Sequence, residues 1–368
     1  MSRRLRVAIL GATGTVGQKL VTLLDGHPWF EVSAVTASER SAGKRYGDAV
    51  RWLEPTPLPD SMAALPVLPA MPPPEADLAL SALDAGTARE VEPACARAGL
   101  AVVSNASAWR MHPHVPLLIP EVNMDHLALL AAQDWRPGFI VANPNCSTTG
   151  LACVLAPLDL AFGVSEVHVT TLQAVSGAGY PGTPSLEVLG NVIPFIAGEE
   201  EKIESETRKV LGRFAAGGIE PAPIRISAHA NRVPVLDGHM LCISAKLRRR
   251  ASVTQVRAAL ADYQTPLGEL GLPSAPLRLL YVFGDNASPQ PRLHAFIGSG
   301  MTVSVGRVRP CPLLDVRFVA LVHNTVRGAA GATLLNAELL VQRGLLPIAT
   351  RSAPRSRRSV KLARRPQR

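Results

Sequence analysis

The segment NPNCSTTG at residues 143–150 places a cysteine where its thiol could act as a nucleophile. Cys146 follows the short apolar run FIVAN, which is typical of a strand, and precedes the apolar run LACVLAPLDL, which is typical of a helix. The dipole and the unpaired backbone N–H groups of a helix N-terminus stabilise a thiolate there. The same N–H groups can stabilise an oxyanion, so the segment indicates covalent acyl chemistry.

A glycine-rich loop near the N-terminus could supply the redox half of such a reaction. Gly11, Gly14 and Gly17 form the pattern GxxGxxG between the apolar run LRVAIL (5–10) and a segment with helical spacing. Glycines let the backbone approach a phosphate, and the helix N-terminus offers N–H groups to that anion. Because the loop stands at the first strand–helix junction, it predicts the binding of a dinucleotide.

The end of the second predicted strand indicates which dinucleotide is bound. The strand EVSAVTA (31–37) ends without the acidic residue that would bind the ribose hydroxyl groups of NAD. Ser38, Arg40 and Ser41 follow, and hydroxyl groups with a cation suit the 2′-phosphate of NADP, although Glu39 lies in the same loop. The sequence therefore predicts NADP as the cofactor.

A thiolate beside a nicotinamide indicates one type of reaction. The thiol adds to an aldehyde, a hydride leaves to NADP, and a second nucleophile cleaves the remaining thioester. Cys146 is the candidate nucleophile, whereas Cys153, seven residues farther along the same predicted helix, is interpreted as a buried structural thiol.

The elements that must position these groups alternate between strand and helix over the first 150 residues, which predicts a parallel, doubly wound sheet of the Rossmann type. Beyond residue 150 the segment GHMLCISAKL alternates strictly between apolar and polar residues, as a half-buried antiparallel strand does. The fold class is therefore α/β, with an α+β second domain. We predict a first domain at 1–146, a second domain at 147–323 and a return of residues 324–345 to the first domain.

Individual elements follow from the same patterns. A proline-rich stretch at 53–75 predicts an irregular connection. The predicted strands are 5–10, 31–37, 77–83, 100–105, 139–143, 165–175, 238–247 and 313–324. The predicted helices include 87–99, 199–214 and 333–344.

Composition excludes several classes of protein. The chain has 368 residues, 47% of them hydrophobic, without an apolar run of about 18 residues, so neither a transmembrane helix nor a membrane partner is expected. Its five cysteines form no CxxC pair, which argues against a disulfide framework and against a metal site. The N-terminal residues lack the features of a signal peptide, so a cytoplasmic location is expected.

The basic charge of the chain comes from its last residues. The net charge is +9, and residues 349–368 carry seven Arg, one Lys and no acid, which leaves about +1 for the rest. This Pro-, Ser- and Arg-rich tail is predicted to be disordered. It could contact nucleic acid, but a passive extension is favoured, and the tail gives no ground for a nucleic-acid-binding function of the body.

Several motifs resemble those of the aspartate-β-semialdehyde dehydrogenases. They occur in the order of that family: GATGTVGQ, SNASAWRM, NPNCSTTG, QAVSGAG, EEEK followed by SETRKVL, RVPVLDGH and HNTVRGAAG. The chain is most similar to the archaeal/fungal branch, over about residues 5–345. The resemblance implies a Rossmann domain plus a catalytic and dimerisation domain, in a homodimer or homotetramer. It also implies NADPH-dependent reduction of aspartyl-β-phosphate to aspartate semialdehyde, on the route from aspartate to lysine, threonine and methionine.

The resemblance further implies roles for individual residues. Cys146 would form the acyl thioester, and His239 would be the acid/base that takes the proton of the thiohemiacetal. The residues that would bind the small-molecule substrate and phosphate are Gln173 for the acyl group, Arg232 for the carboxylate, Glu200 for the ammonium, and Arg110 and Lys202 for the phosphate. The residues that would line the cofactor site are Gly11, Thr13, Gly14, Thr15, Val16, Gly17, Ser38, Arg40, Ser41, Ser81, Ser176, Gly177 and Asn324.

Other interpretations stay open at this point. His229 competes with His239, but it lacks the motif's spacing from Arg232 and is interpreted as structural. Glu200 and Lys202 could equally lie on a solvated helix face. A CoA-thioester reductase, such as a malonyl-CoA reductase, would reuse the cysteine, the histidine and NADPH. A non-catalytic interaction protein on the same scaffold would lack catalytic groups that this chain retains.

Overall fold

The computed structural model describes residues 4–73 and 75–346, and the predicted disordered tail at 349–368, with its nucleic-acid contact, lies outside them. The strands are β1 (Leu5–Leu10), β2 (Phe30–Ala37), β3 (Val67–Pro69), β4 (Leu78–Ser81), β5 (Ala101–Ser104), β6 (Phe139–Ala142), β7 (Val164–Gln173), β8 (Arg213–Ala215), β9 (Gly218–Glu220), β10 (Arg225–Arg232), β11 (His239–Leu247), β12 (Leu280–Val282), β13 (Val303–Pro310) and β14 (Val316–Val322).

The α-helices between these strands are α1 (Thr15–Leu24), α2 (Tyr46–Ala49), α3 (Asp60–Ala63), α4 (Ala85–Arg97), α5 (Pro120–Asn123), α6 (Cys146–Phe162), α7 (Ser185–Val188), α8 (Glu199–Val210), α9 (Val253–Ala261), α10 (Pro291–His294) and α11 (Gly331–Gln342). Short 3₁₀ helices cover Ser107–Trp109, Met124–Ala132, Val175–Ala178 and Ile297–Gly300, and a π-helix covers Val326–Ala330.

The first sheet contains six parallel strands in the order β3–β2–β1–β4–β5–β6. This is the strand order of a doubly wound, dinucleotide-binding sheet, and it confirms the predicted fold class. The predicted strands of this sheet are present, with ends that differ by one or two residues. The irregular connection predicted at 53–75 is wrong at Val67–Pro69, which pair with β2. Proline-rich flanks hide this three-residue edge strand.

The second sheet is mixed, in the order β10–β7–β11–β14–β13–β12, with parallel pairs at both edges and antiparallel pairs between them. The alternation predicted for β11 is present, because its apolar residues are buried: Leu241, Ile243, Ala245 and Leu247. The sequence pattern misses β10, whose letters RISAHANR carry polar side chains on the exposed face of the strand. It also misses β12 and β13, the first of which has only three residues.

Helix α8 is shorter than its predicted span of 199–214, since it ends at Val210. The residues that follow form the two-stranded β8–β9 hairpin. Gly212 directly follows the C-cap residue Leu211, and a glycine at this position is common where a helix ends.

Two helices connect the sheets at the edge where β6 ends. Helix α6 packs against α8 and against β11 and β14 of the second sheet. Helix α11 follows β14 in the chain but packs against α1 and β5 of the first sheet, which supports the predicted return of residues 324–345. The domain boundary at 146/147 stays a prediction.

Candidate active site

Cys146 is the first residue of α6 and lies where the first sheet meets the second. Asn145 caps the helix, since its Oδ1 accepts hydrogen bonds from the backbone N–H groups of Ser147 (2.9 Å) and Thr148 (3.2 Å). A side-chain cap of this kind satisfies donors of the first turn and fixes its geometry. The strand–Cys–helix arrangement predicted from NPNCSTTG is therefore present.

The thiol of Cys146 is protonated in the free protein. Burial, together with the neighbouring Glu199 carboxylate, raises the pKa of the thiol to about 12. Arg110, the Ser147 N–H and Arg232 lower the pKa, but by less. The helix N-terminus therefore does not ionise the thiol by itself, because desolvation and an anion outweigh it. One anion and two cations surround the nucleophile.

Gly328 lies directly against Cys146. A Cβ atom on Gly328 would stand 2.5 Å from the Cβ of Cys146 and 2.9 Å from its Cα, closer than carbon atoms pack. Gly328 belongs to the π-helix that follows β14, and its N–H donates to the carbonyl of His323 (3.0 Å). Sequence reasoning missed this residue as part of the site, although a glycine inside the helix-forming run TVRGAAG is a signal of close packing.

His239 and Arg232 both bind the main chain of Ala174. The backbone N–H of Ala174 donates to Nδ1 of His239 (3.0 Å), and the carbonyl of Ala174 accepts from Nη1 of Arg232 (2.7 Å). The His239 ring is fully buried, and its Nε2 has no hydrogen-bond partner in the described part of the chain. Burial, with Arg232 and His323 nearby, lowers the pKa of His239 to about 3. The imidazole is therefore neutral, with its proton on Nε2.

Gly177 covers this pair from the loop after β7. A Cβ atom on Gly177 would lie 3.0 Å from Cε1 of His239 and 3.1 Å from Nη1 of Arg232. A side chain at this position would therefore push the imidazole or the guanidinium out of place. The structure puts Gly177 against His239 and Arg232.

Glu199 is the carboxylate at the centre of the site. It accepts hydrogen bonds from Nδ2 of Asn145 (2.9 Å), Nε2 of Gln173 (3.2 Å) and Nζ of Lys202 (3.1 Å). Gln173 lies at the end of β7, in register with Arg232 on β10. The structure thus brings Gln173, Lys202 and Arg232 together, as the motifs imply.

Arg110 reaches the same region from the loop after β5. Its Nη1 donates to Oε1 of Glu206 (3.1 Å), and its Nη2 donates to the carbonyl of Asn105 (2.8 Å). The second carboxylate oxygen of Glu206 accepts the backbone N–H of Asn145 (2.6 Å). Glu206 is a further residue that sequence reasoning missed, although it belongs to the quoted motif SETRKVL.

Glu200 is not brought into this cluster, which corrects the sequence-based assignment. Its Oε1 accepts the backbone N–H of Ala230 (3.0 Å) on β10, whereas the adjacent Glu199 is buried and faces Asn145. Consecutive helical residues point in directions about 100° apart, so only one of the two carboxylates can face the nucleophile. The motif letters EEEK cannot distinguish them.

His229 lies away from Arg232 and His239. On β10 the buried side chains are those of Ala228, Ala230 and Arg232, whereas His229 is exposed on the other face, where its ring contacts His168. This position agrees with its interpretation as a residue outside the site.

The glycine loop between β1 and α1 has the geometry of a phosphate cradle. The N–H groups of Gly11 and Ala12 donate to the carbonyl of Thr36 (3.1 and 2.9 Å), which fixes the loop on β2. A Cβ on Gly17 would stand 2.4 Å from the carbonyl oxygen of Gly11, so helix and loop touch backbone to backbone. Gly14 is exposed and donates its own N–H to the carbonyl of Gly11 (3.2 Å), and α1 then begins at Thr15, whose first-turn N–H groups point towards the site of an anion.

A cleft of about 330 Å³ opens beside this loop. The residues that line it come from α1 and from loops that connect strands of both sheets. Thr15 and Lys19 line it from α1, and Ser176 and Tyr180 line it from the loop after β7. Arg51 contacts the Tyr180 side chain, because it donates a hydrogen bond to the Tyr180 hydroxyl and its guanidinium lies 5.0 Å from the centre of that ring. The cradle and cleft fit a dinucleotide.

The other predicted cofactor residues divide into three groups. Ser38 and Arg40 are exposed in the turn after β2, which a hydrogen bond from the Ser41 N–H to the Ser38 carbonyl (2.9 Å) closes. Asn324 is buried, and its Nδ2 donates a hydrogen bond to the Ser176 hydroxyl (2.8 Å). Thr13 and Val16 flank the cradle; Thr13 accepts a hydrogen bond from Gln18 through its carbonyl, and Val16 is half-buried against the first sheet's core.

Ser81 is not placed in the cleft, which corrects its assignment as a cofactor ligand. Its side chain is fully buried, and its Oγ accepts the backbone N–H of Leu83 (3.5 Å). The residue after it does approach the cradle, since a Cβ on Gly11 would stand 2.8 Å from the carbonyl oxygen of Ala82. The backbone after β4, and not the serine hydroxyl, forms that wall.

Two further findings concern residues 4–73 and 75–346 only. No helix there combines the length and apolar character needed to span a bilayer. No three His, Cys, Asp or Glu side chains there come together in a way that could hold a metal ion.

Comparison with known proteins gives matches along most of the chain. The family model "Semialdehyde dehydrogenase, NAD binding domain" matches residues 6–130, and the model "Semialdehyde dehydrogenase, dimerisation domain" matches residues 155–327. An aspartate-semialdehyde dehydrogenase of Archaeoglobus fulgidus is 46% identical over 348 residues, covering 93% of this chain and 100% of that protein. One from Schizosaccharomyces pombe is 46% identical over 353 residues, covering 93% and 99%.

Solved structures with the same architecture include two related enzymes. The structure of aspartate semialdehyde dehydrogenase with NADP from Candida albicans has a TM-score of 0.87 at 41% identity, covering 93% of this chain and 99% of that one. Aspartate semialdehyde dehydrogenase II complexed with ASA from Vibrio cholerae has a TM-score of 0.74 at 26% identity, covering 93% and 99%.

Proposed function

The chain belongs to the aspartate-semialdehyde dehydrogenase family, and from this premise we propose how its residues perform the reaction. The enzyme catalyses the NADP-dependent reductive dephosphorylation of L-aspartyl-4-phosphate to L-aspartate 4-semialdehyde, in amino-acid biosynthesis. The observation that carries the mechanism is the environment of the nucleophile: Cys146 starts α6 with Glu199, Arg110 and Arg232 as the charges around its thiol.

These charges match those of the substrate. Arg232 keeps further guanidinium donors besides the one bound to Ala174, and a planar guanidinium suits the α-carboxylate of aspartate. Glu199, in place of Glu200, receives the ammonium group. Arg110 and Lys202 are cations on the side of the site where the phosphate would lie. A carboxylate, an ammonium and a phosphate thus each meet a group of opposite charge.

Acyl transfer to Cys146 starts the reaction. The sulfur attacks the acyl carbon, the bond from that carbon to the phosphate oxygen breaks, and a thioester forms. Because His239 already carries a proton on the nitrogen that faces the site, the thiol proton leaves with the departing phosphate. Gln173 lies beside Glu199 and orients the acyl group.

His239 acts as a hydrogen-bond donor in this proposal. Its Nδ1 accepts the Ala174 N–H, so Nε2 carries the proton and can donate to the oxygen of the acyl group. NADPH, when bound in the cleft, supplies a hydride. The donor at Nε2 then stabilises the oxyanion of the thiohemiacetal, whose collapse to the aldehyde expels the thiolate. This role replaces the acid/base role implied by the motif.

The cofactor is NADP, and the residues proposed to hold it are those around the cradle and the turn after β2. The N–H groups at Thr15 and Val16 would meet the pyrophosphate, and the exposed Ser38 and Arg40, with the half-buried Ser41, would meet the 2′-phosphate. Ser176, held by Asn324, would line the nicotinamide end.

The assembly and location are further parts of the proposal. The match to a dimerisation domain supports a homo-oligomer, and a dimer or tetramer is the form we propose. All five cysteines are free, which suits a reducing compartment such as the cytoplasm. We also keep the domain boundary at 146/147, because α6 packs mainly on the second sheet.

A phosphate-dependent assay of NADP reduction with aspartate semialdehyde tests the function. Turnover that requires both phosphate and the semialdehyde is the expected result. The CoA-thioester reductase is not favoured, because malonyl-CoA has no ammonium group for Glu199 and no acyl phosphate for Arg110 and Lys202. Efficient NADPH oxidation with malonyl-CoA, together with no phosphate-dependent reaction of the semialdehyde, would overturn the proposal.

A further inference from the structure

Glu206 joins two parts of the site that the proposed mechanism uses separately. Its carboxylate holds Arg110, the proposed phosphate ligand, through Oε1 (3.1 Å) and the backbone N–H of Asn145 through Oε2 (2.6 Å). Asn145 is the residue directly before the nucleophile. We propose that Glu206 is a positioning residue that couples phosphate binding at Arg110 to the placement of Cys146, an inference that rests on the proposed function.

Helix α8 holds Asn145 from both ends. Glu206 binds its backbone N–H, and Glu199 binds its side-chain Nδ2 (2.9 Å). The two glutamates are seven residues apart, which places them on the same face of the helix. The Oδ1 of Asn145 in turn caps α6. A displacement of α8 or of the Glu206 carboxylate is therefore passed directly to the first turn of α6, where the thiol lies.

Arg110 is aimed by the same carboxylate. Its guanidinium is held at Nη1 by Glu206 and at Nη2 by the carbonyl of Asn105, while its buried Nε has no hydrogen-bond partner in the described part of the chain. Glu206 itself is 2% exposed, so water does not compete for either contact. An anion that binds Arg110 therefore competes with Glu206 for the guanidinium. This competition shifts the carboxylate that also accepts the Asn145 N–H.

A glutamine at position 206 would keep the shape but not both contacts. Its single carbonyl oxygen can accept from Arg110 or from Asn145, and its NH₂ group then faces the other donor. Glu206→Gln is thus a near-isosteric test of the coupling. Glu201→Gln, on the exposed side of the same helix, is the matched control, because it removes one carboxylate from α8 without touching the site.

The experiment measures KM for phosphate and for NADP in both variants and in the unaltered enzyme. Loss of one charge-assisted hydrogen bond predicts a rise in KM for phosphate of about 10- to 100-fold in Glu206→Gln, with KM for NADP within about twofold. Glu201→Gln should match the unaltered enzyme. Thermal unfolding of each variant accompanies the kinetics, because a role confined to stability would shift the unfolding midpoint and leave both KM values alone.

Alkylation of Cys146 by iodoacetamide gives a readout that needs no turnover. In the unaltered enzyme, added phosphate should change the alkylation rate, and in Glu206→Gln this change should disappear. If Glu206→Gln does not fold, Arg110→Lys serves instead, because lysine keeps the charge but lacks the planar pair of nitrogens with which Arg110 reaches Glu206 and the Asn105 carbonyl. It should abolish the phosphate effect in the same way.

Two results would overturn the inference. One is a KM for phosphate in Glu206→Gln equal to that of Glu201→Gln; the other is an equal rise in the KM for phosphate and for NADP. Failure of the proposed function looks different, since the unaltered enzyme would then show no phosphate-dependent NADP reduction. In that case the alkylation experiment still decides whether Glu206 couples an anion at Arg110 to the thiol.

Discussion

Substitution of Gly328 by alanine should disable the nucleophile while leaving the fold intact. The new Cβ would stand 2.5 Å from the Cβ of Cys146, whereas carbon atoms in ordinary contact are about 3.5 Å apart. The π-helix and α6 must therefore separate by about 1 Å. A misplacement of about 1 Å at a reacting centre costs on the order of 10² in rate. We expect kcat/KM for phosphate-dependent NADP reduction to fall by at least about 10²-fold.

Gly284→Ala is the matched control, because a Cβ there would meet nothing within 4 Å. Both variants should be compared in kcat/KM, in the rate of Cys146 alkylation and in thermal unfolding. If position 328 had room, alanine would stabilise the helix by about 1 kcal/mol relative to glycine and leave turnover unchanged. A Gly328→Ala enzyme with kcat/KM within about threefold of the original would therefore refute the reasoning.

The remaining predictions concern the nucleophile, the imidazole and the cofactor. Cys146→Ser should abolish turnover, since a serine hydroxyl cannot replace the thiol, and retention of most of the activity would exclude covalent catalysis. Because the pKa of the Cys146 thiol is raised to about 12, its thiolate fraction and its alkylation rate should increase about tenfold per pH unit from about pH 7 to 9, and a plateau below pH 8 would contradict this. His239→Ala should lower kcat by about 10²–10³, and His239→Gln, which keeps a donor near Nε2, should recover about tenfold; equal losses would favour the acid/base role. Arg40→Ala should raise KM for NADP and leave KM for NAD unchanged, and an equal effect on both would place Arg40 elsewhere than at the 2′-phosphate.

The sequence predicts those features of the site that local patterns encode. Cys146 stands at a strand–helix junction, and that junction is visible in the change from a short apolar run to a long one. The first sheet follows from alternating strands and helices for the same reason. The parts of the site that local patterns do not encode depend on contacts between distant segments.

Glu199 and Glu200 show where such reasoning stops. Two adjacent carboxylates in one charged helix have the same local signature, and only the packing of α8 on α6 decides that Glu199 is buried beside Asn145. Ser81 fails for a similar reason, because the burial of its hydroxyl against Glu92 depends on how α4 packs under the sheet. The ionisation of Cys146 could not be predicted either, since desolvation by the whole fold outweighs the local helix N-terminus.

The main chain of Ala174 has a consequence for how the site tolerates change. Its N–H selects the tautomer of His239 and its carbonyl holds Arg232, yet both contacts are made by main-chain atoms. A mutational scan at position 174 would register only a small buried side chain and would overlook both contacts. Proline is the exception, because its Cδ would take the place of the N–H hydrogen and stand directly against Nδ1 of His239, which lies 3.0 Å from the Ala174 nitrogen. Ala174→Pro would therefore remove the donor to Nδ1 and push the imidazole away from it, whereas the carbonyl of residue 174 keeps its acceptor for Arg232.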